Sequence, residues 1–304
     1  MTRIRFRTLM IGTAAAAMAA PALAQQEAQT DEQIIVTAQR GNQTGVARRG
    51  TVGVLGDKAA EDVPFSIKSY NEALILNQQP HTLGQVLEND PSVRISYGFA
   101  NAAEQFVIRG FSLNGDDVGY GGLYGIAPRQ LIAPELFESV QVLNGATAFL
   151  NGAAPGGSGI GGSVNLVPKR AGPDPAGRVT VGYTSEAHFG GSFDVGRRCG
   201  TGDQWGVRVN GAARRGDIAI EDEFRSSYVI GGALDYDGGP LRLSLDLAYQ
   251  RVRVHHLRPK LTVNGVVPRV PEADANYGQP WQETTLRDIF GQGRAEYDLA
   301  DNAL

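Results

Sequence analysis

Apolar and polar residues alternate with a period of two through the second half of the chain. Leu241, Leu243, Leu245, Leu247 and Tyr249 take one set of positions, and Arg242, Ser244, Asp246 and Ala248 take the other. Trp205, Val207 and Val209 alternate with Arg208 and Asn210, and Val179, Val181 and Tyr183 with Arg178 and Thr180. Tyr228, Ile230 and Leu234 face away from Ser227 and Asp235, and Ile289, Ala295, Tyr297 and Leu299 away from Gln292, Arg294 and Glu296. Successive side chains of a strand point to opposite faces, so each segment predicts a strand with one apolar and one polar face. Charged residues recur in the middle of the polar face. The dry core of a soluble sandwich excludes them and a wet lumen accepts them, so the pattern predicts the first strands of an antiparallel transmembrane β-barrel. The connections at 201–204 and 237–240 are short, whereas those around 215–226 and 254–284 are long. This alternation predicts turns at one end of the sheet and outward-facing loops at the other.

Ahead of these strands the periodicity is mixed, which predicts a compact α+β domain over 61–170. Strands are expected at Phe65–Ser69, Phe106–Arg109, Ser139–Leu143 and Ser163–Val167, and helices at Asn71–Gln78 and Thr82–Glu88. Leu83, Val86 and Leu87 share one helical face, Thr82 is placed to cap it and Pro91 to end it. A helical turn is expected at 134–137, and the core at Phe65, Ile67, Leu83, Val86, Leu87, Val107, Ile108, Val140, Val142, Leu166 and Val167. Residues 25–60 are polar and lack periodicity, as in a flexible arm. One apolar island, Ile34-Ile35-Val36 within DEQIIVTAQR, suits addition of a strand to a partner sheet; the alternative is a stray strand of the domain that follows. Arg3, Arg5 and Arg7, the apolar Leu9–Ala20 run and Ala22-Leu23-Ala24 before Gln25 form a cleavable export signal over 1–24. The expected organisation is therefore leader 1–24, arm 25–60, α+β domain 61–170 and barrel segment 171–304.

Composition narrows the chemistry. Of 304 residues 40 are Gly, which suits a turn-rich β protein, and the net charge of -4 argues against a nucleic-acid surface. Removing the leader takes away three arginines and no acid, so the mature chain is more acidic still. One Cys and four His exclude a Cys/His zinc module, and no Ser/His/Asp set points to an enzyme. Gly157-Ser158-Gly159-Ile160-Gly161-Gly162 matches G-x-G-x-x-G, but a loop precedes it and a strand follows it, opposite to a dinucleotide fingerprint. Close-packing turns are the expected use of these glycines. Asp116-Asp117 and Glu221-Asp222-Glu223 lack EF-hand spacing and read as solvated loops, and Cys199 reads as an incidental turn residue. His255 and His256 sit at the base of the longest loop; neighbours on a strand point apart, so a metal pair is not expected, but His255 is a candidate to line a vestibule.

Several segments together carry a family resemblance. DEQIIVTAQR resembles a TonB box, and DVPFSIKSYNEALILNQQPHTLGQVLENDPSVRIS the start of a plug. FVIRGF, GGLYGI and ESVQVLNGATAFLNGAAPGGSGIGGSVNLVPKRA resemble its core and end, and NYGQPW and AEYDL early barrel segments. The chain resembles the TonB-dependent outer-membrane receptors, specifically the ferric-siderophore group. That resemblance implies a plug inside a barrel of roughly 22 strands, set in outer-membrane lipid, importing a ferric siderophore. It implies TonB as partner at Ile34, Ile35, Val36 and Thr37, no nucleic acid, and no cofactor beyond the iron of the ligand. Tyr97, Phe99, Tyr120, Tyr124 and Arg129 in plug loops, with His255, become ligand-contact candidates, each equally readable as a packing residue. Arg109 is expected to be structural, paired within the plug. About six strands against roughly 22 lead to the expectation of a truncated N-terminal fragment. Other readings are the same architecture for a vitamin or glycan, and a soluble periplasmic binding or structural protein. A signalling receptor is disfavoured, because little chain separates the leader from the box.

Overall fold

The computed structural model describes residues 45–51, 55–97, 99, 103–184, 186–261, 263–266 and 268–299. The leader at 1–24 and the box residues Ile34, Ile35, Val36 and Thr37 lie outside the described residues. The first strands are β1 (Val46–Ala47), β2 (Arg49–Thr51), β3 (Asp57–Ala59) and β4 (Ser66–Asn71), followed by α1 (Glu72–Gln78) and α2 (Leu83–Leu87). Then come β5 (Val93–Ile95), β6 (Gln105–Ile108), β7 (Phe111–Asn114), β8 (Gly119–Tyr120), β9 (Phe137–Asn144), α3 (Ala148–Asn151) and β10 (Gly162–Pro168). β1, β4, β9, β10 and β8 form one sheet in that order, β5–β7 a second and β2–β3 a hairpin. Within the stretch expected as an arm over 25–60, β1–β3 belong to paired structure; these short, polar strands carry too little alternation to be read from sequence.

Local rules explain the helices. The Asn71 side chain accepts from the Leu74 N–H at 3.3 Å at the start of α1, and Gln79 ends that helix in a left-handed conformation with φ 49°. Thr82 caps α2 as expected, accepting from the Gln85 N–H at 3.3 Å. The expected turn at 134–137 is a 3-10 turn over Pro134–Leu136. Within the expected core, Ile67, Leu83, Val86, Leu87, Ile108, Val140, Val142 and Leu166 are buried, whereas Phe65, Val107 and Val167 are only half-buried. In β6 the buried partner of Ile108 is Phe106, two positions away, and Val107 points to the other face.

The remaining strands are β11 (Ala176–Thr184), β12 (His188–Cys199), β13 (Trp205–Asp217), β14 (Phe224–Asp237), β15 (Leu241–His255) and β16 (Glu283–Tyr297). They form one sheet in sequence order, every neighbour antiparallel. β11 and β16 do not pair with each other, so the sheet is open. β12 is Gly-rich, which hides its alternation, and Cys199 is its last residue, opposite Trp205, rather than part of a turn. The connections 200–204 and 238–240 fall at one end, and 185–187, 218–223 and 256–282 at the other. The first of these latter three is as short as a turn, so loop length does not alternate throughout.

One face of this sheet is apolar and bare. Val179 is 77 % exposed, Val181 84 % and Ile289 80 %. The other face carries Asp194, Arg208, Asn210, Asp246 and Gln250, all buried against the α+β domain. Ala212, Val229, Ala248 and Phe290 on that face join the cluster of Phe106, Phe137 and Leu166. The plug core is thus completed by side chains of the barrel sheet, and the described residues fall within one compact unit. Among the described residues no helix is long and apolar enough to cross a membrane.

Candidate ligand vestibule

The end of the sheet with the 256–282 loop holds a cavity of about 450 Å³. Its floor comes from the plug loop after β5, its walls from the start of β14 and from the long loop. Glu223 sits just before β14 and Arg225 two residues later on the same face. The Arg225 Nε donates to Glu223 Oε1 at 2.7 Å, and the Arg258 N–H donates to Glu223 Oε2 at 3.1 Å. This buried carboxylate ties the two loops together and leaves the guanidinium plane of Arg225 4.1 Å over the Phe99 ring. Lys260 repeats the arrangement: its Nζ lies 4.5 Å over the Tyr97 ring and donates to the Ser96 carbonyl at 3.0 Å. Arg258 and Asn276 fasten the loop further, donating to the carbonyls of Ala273 at 2.6 Å and His256 at 2.7 Å. Phe99, Arg225, Arg258 and Lys260 therefore line one cavity, with the Tyr97 ring beneath Lys260, an arrangement of cations backed by rings that can receive anionic oxygens on a conjugated ligand.

The sequence candidates do not form one site. Phe99 lines this cavity, and Tyr97 lies behind it under Lys260. Tyr120 is in β8, 4 % exposed, with its ring edge-on to Phe137 and Phe290 at 5.9 Å each, and so is a core residue rather than a loop residue. Tyr124 borders a separate cleft with Arg170, Gln292 and Arg294 toward the short-turn end. Arg129 is exposed and pairs with Asp116 at 3.3 Å. His255 lies on the outward face, 3.3 Å from Glu283, because position 255 keeps the parity of Leu245 and Leu247; it does not line the vestibule. Among the described residues no side chain pairs with Arg109, whose side chain is exposed; its role is in the backbone. Arg109 (φ 53°) and Gly110 (φ 90°) form the two-residue turn between β6 and β7, which needs positive φ at both positions. Glu223 and Asp117, read as solvated, are both buried. Asp117 accepts from the Gly156 N–H at 2.5 Å and the Ser158 N–H at 2.9 Å, so the Gly-rich loop spends its amides on an internal carboxylate. Gly161 then passes so close to β6 that a Cβ would stand 2.0 Å from the Ile108 carbonyl oxygen.

Sequence reading missed Arg225, Arg258 and Lys260. The one available signal was Glu223 and Arg225 two apart at a strand start, where a same-face ion pair forms. It also missed the contact that holds plug to sheet. Lys169, just after β10, reaches Asp194 at 2.7 Å and Glu72 at 3.1 Å. Arg208 reaches Asp194 at 2.7 Å and Glu72 at 3.1 Å, and Arg170 reaches Asp246 at 2.6 Å. Glu135 of the plug pairs with Arg214. Gln250 accepts from the Ala133 N–H at 3.2 Å and donates to the Leu131 carbonyl. Beside Arg214, burial first and then that cation push the His81 imidazole down to about 4, so it is neutral near pH 7.

Within the plug two carboxyls are set in opposite directions. Burial pushes Glu104 up to about 8, against the N–H bonds it accepts from Gly84 at 3.1 Å and Ile132 at 3.4 Å. Burial would also raise Asp90, but hydrogen bonds from Ser92 and the Lys68 ammonium at 3.2 Å hold it below the usual carboxylate range.

Comparison with known proteins places this architecture. Residues 59–158 match the TonB-dependent Receptor Plug Domain family. The chain is 44 % identical over 259 residues to the ferrichrome receptor FcuA of Yersinia enterocolitica, covering 84 % of this chain and 34 % of that protein. It is 25 % identical over 250 residues to the ferrichrome outer membrane transporter/phage receptor of Escherichia coli K12, covering 77 % and 32 %. The chain thus spans about a third of the length of these curated relatives. Among solved structures, BauA, the ferric preacinetobactin receptor of Acinetobacter baumannii, superposes with a TM-score of 0.80 at 36 % identity, over 84 % of this chain and 39 % of that one. The ferripyoverdine receptor of Pseudomonas aeruginosa shares the fold, with a TM-score of 0.66 at 20 % identity over 82 % and 34 %. Residues 59–158 thus carry the plug of the TonB-dependent receptors, packed against six antiparallel strands of an unclosed sheet that is similar to the barrel of these relatives.

Proposed function

We propose that this chain supplies the plug and leading barrel strands of an outer-membrane receptor that imports a ferric siderophore. The observation that carries the reading is the vestibule, a cavity at the loop-bearing end lined by Phe99, Arg225 and Lys260, with the Tyr97 ring beneath Lys260. The relatives named above as ferrichrome and preacinetobactin receptors support it. The chelate enters among these residues; its flat chelating groups stack on the rings, while Arg225 and Lys260 turn to its anionic oxygens. TonB couples by strand addition at Ile34 to Thr37, after the 1–24 leader has been cleaved on export. The test is uptake and binding of radio-iron chelates by an iron-starved host producing the intact receptor. Phe99→Ala and Arg225→Ala each raise Kd roughly tenfold, the loss of about 1.4 kcal/mol. Ile35→Pro removes a ladder donor, so uptake stops while binding persists. Unchanged Kd in both vestibule variants overturns the site, and normal uptake in Ile35→Pro overturns the box.

A further inference from the structure

The loop over 256–282 carries chemistry of its own, apart from ligand binding. Five asparagines of the chain precede a glycine: Asn114, Asn144, Asn151, Asn210 and Asn264. In such a pair the glycine nitrogen can reach the asparagine side-chain amide with no Cβ in the way. Four of the pairs are held. The Asn114 Oδ1 accepts from the Gln105 Nε2 at 2.9 Å, and the Gly115 N–H donates to the Glu104 carbonyl at 2.9 Å. The Asn144 Oδ1 accepts from the Ser92 hydroxyl at 3.0 Å, and the Gly145 N–H donates to the Gly161 carbonyl at 2.9 Å. Asn151 closes α3 and donates to the Ser163 hydroxyl at 3.3 Å. Asn210 is buried in the middle of β13, which pairs on both sides.

The fifth pair is free. Asn264 and Gly265 are exposed and lie outside helix and strand. Among the described residues nothing bonds the Asn264 side chain or the Gly265 N–H. Gly265 is at φ 93°, and beyond its chain neighbours no atom stands within 4 Å of the place a Cβ would take. The pair also sits where a new charge matters. Val263 before it and Pro268 after it line the vestibule cavity. The charged groups that line this cavity among the described residues are Arg225, Arg258, Lys260 and Arg269 against Glu223 alone, and both Glu223 oxygens are already taken by Arg225 and the Arg258 N–H. A carboxylate at 264 would add a second negative charge to a wall that otherwise offers cations.

We propose that Asn264 is a site of spontaneous deamidation, which gives the vestibule wall a carboxylate as the receptor ages. The Gly265 main-chain nitrogen attacks the Asn264 Cγ; the new N–C bond forms as the Cγ–Nδ2 bond breaks, and the Gly265 proton leaves with the side-chain nitrogen as ammonia. Water then adds to either carbonyl of the cyclic imide and breaks one of its two C–N bonds, leaving aspartate or isoaspartate. No electrons are exchanged, and water is the only co-reactant. The modification rests on this loop alone; its effect on a ligand rests on the vestibule reading above, and the test separates the two. The intact receptor, purified in detergent, is held in mildly alkaline buffer and sampled over days. Peptide mass spectrometry, with isoaspartyl methyltransferase labelling, follows all five pairs. Asn264 is expected to convert at least about tenfold faster than any of the other four, and Asn264→Gln, whose longer side chain closes the ring far more slowly, to stay unmodified at this position. Conversion at 264 no faster than at the held pairs overturns the site. Binding is read on the same samples with ferric enterobactin as an anionic probe and ferrichrome as a neutral one. Aged receptor and fresh Asn264→Asp are expected to lose roughly twofold to fivefold in Kd for the anionic probe, less for the neutral one and less at high salt, while aged Asn264→Gln keeps its affinity. An equal loss for both probes, or none, overturns the charge effect at the wall. A fresh receptor that binds neither probe counts against the vestibule reading, and the peptide map then decides the modification by itself.

Discussion

Glu104 shows how a single buried carboxyl sets the plug's response to pH. Both of its oxygens accept main-chain N–H groups, so it staples α2 to the segment before Pro134. Burial still raises its pKa from an ordinary 4.5 to about 8. Between these values the folded plug holds a proton that the unfolded chain has released, so stability falls as pH rises through that window. Glu104→Gln cannot titrate: unfolding free energies from urea titration are expected to stay within about 1–2 kcal/mol of the parent near pH 5 and to lose most of the downward slope toward pH 8. A slope unchanged in the Gln variant would assign the pH dependence elsewhere. Legibility at this scale was uneven. Thr82 was recognisable as a cap because capping needs only local spacing. Glu104 and Asp117 were not recognisable as buried, because their partners lie 20 or more residues away in sequence, and Glu223 has one partner two residues away but its second, the Arg258 N–H, 35 away. Arg109 was misjudged because its FVIRGF setting drew attention to the charge, whereas the turn uses its backbone.

At the scale of elements, β10 ends in the contact that fixes plug to sheet. Lys169 and Arg208 share Asp194, and Glu72 at the first turn of α1 closes the set. Deleting one member of such a buried set leaves charges uncompensated. Asp194→Ala is expected to cost about 3–5 kcal/mol, seen as a lower melting temperature of the detergent-solubilised receptor and as earlier protease cleavage within the plug. Replacing Lys169 and Asp194 together by apolar residues of similar size is expected to recover a large part of that loss, since no orphan charge remains. Strand type and facing were legible wherever Leu, Val and Tyr alternated. They failed at β12, where Gly fills the alternate positions, and at β1–β3, which are too short to show a period. The placement of His255 shows how far parity alone could have gone: counting by twos from Leu247 puts it outside the lumen.

For the whole molecule, the alternation with charges in mid-face identified a barrel sheet before any resemblance was invoked. What it could not show is that the plug core is finished by Ala212, Val229, Ala248 and Phe290. Plug and sheet are therefore one folding problem, and the sheet has two unpaired edges, β11 and β16. The chain produced as its own polypeptide is expected to self-associate through those edges, eluting from detergent size exclusion as large, heterogeneous species; a discrete monomer resistant to protease would contradict this. The order of strands in the plug sheet has a mechanical consequence as well. Among the described residues β1 is the first strand to enter it; it lies at the edge, with Val46 and Ala47 against Tyr70 and Ser69 of β4 and the Gly45 carbonyl accepting from the Asn71 N–H at 2.9 Å. Tension on the chain ahead of Gly45 meets these few bonds before it reaches any that hold β9. β9 is clamped between β4 and β10 with bonds on both sides. The sheet thus yields to traction in stages, a weak outer ply lifting away while its middle ply stays seated on the barrel wall.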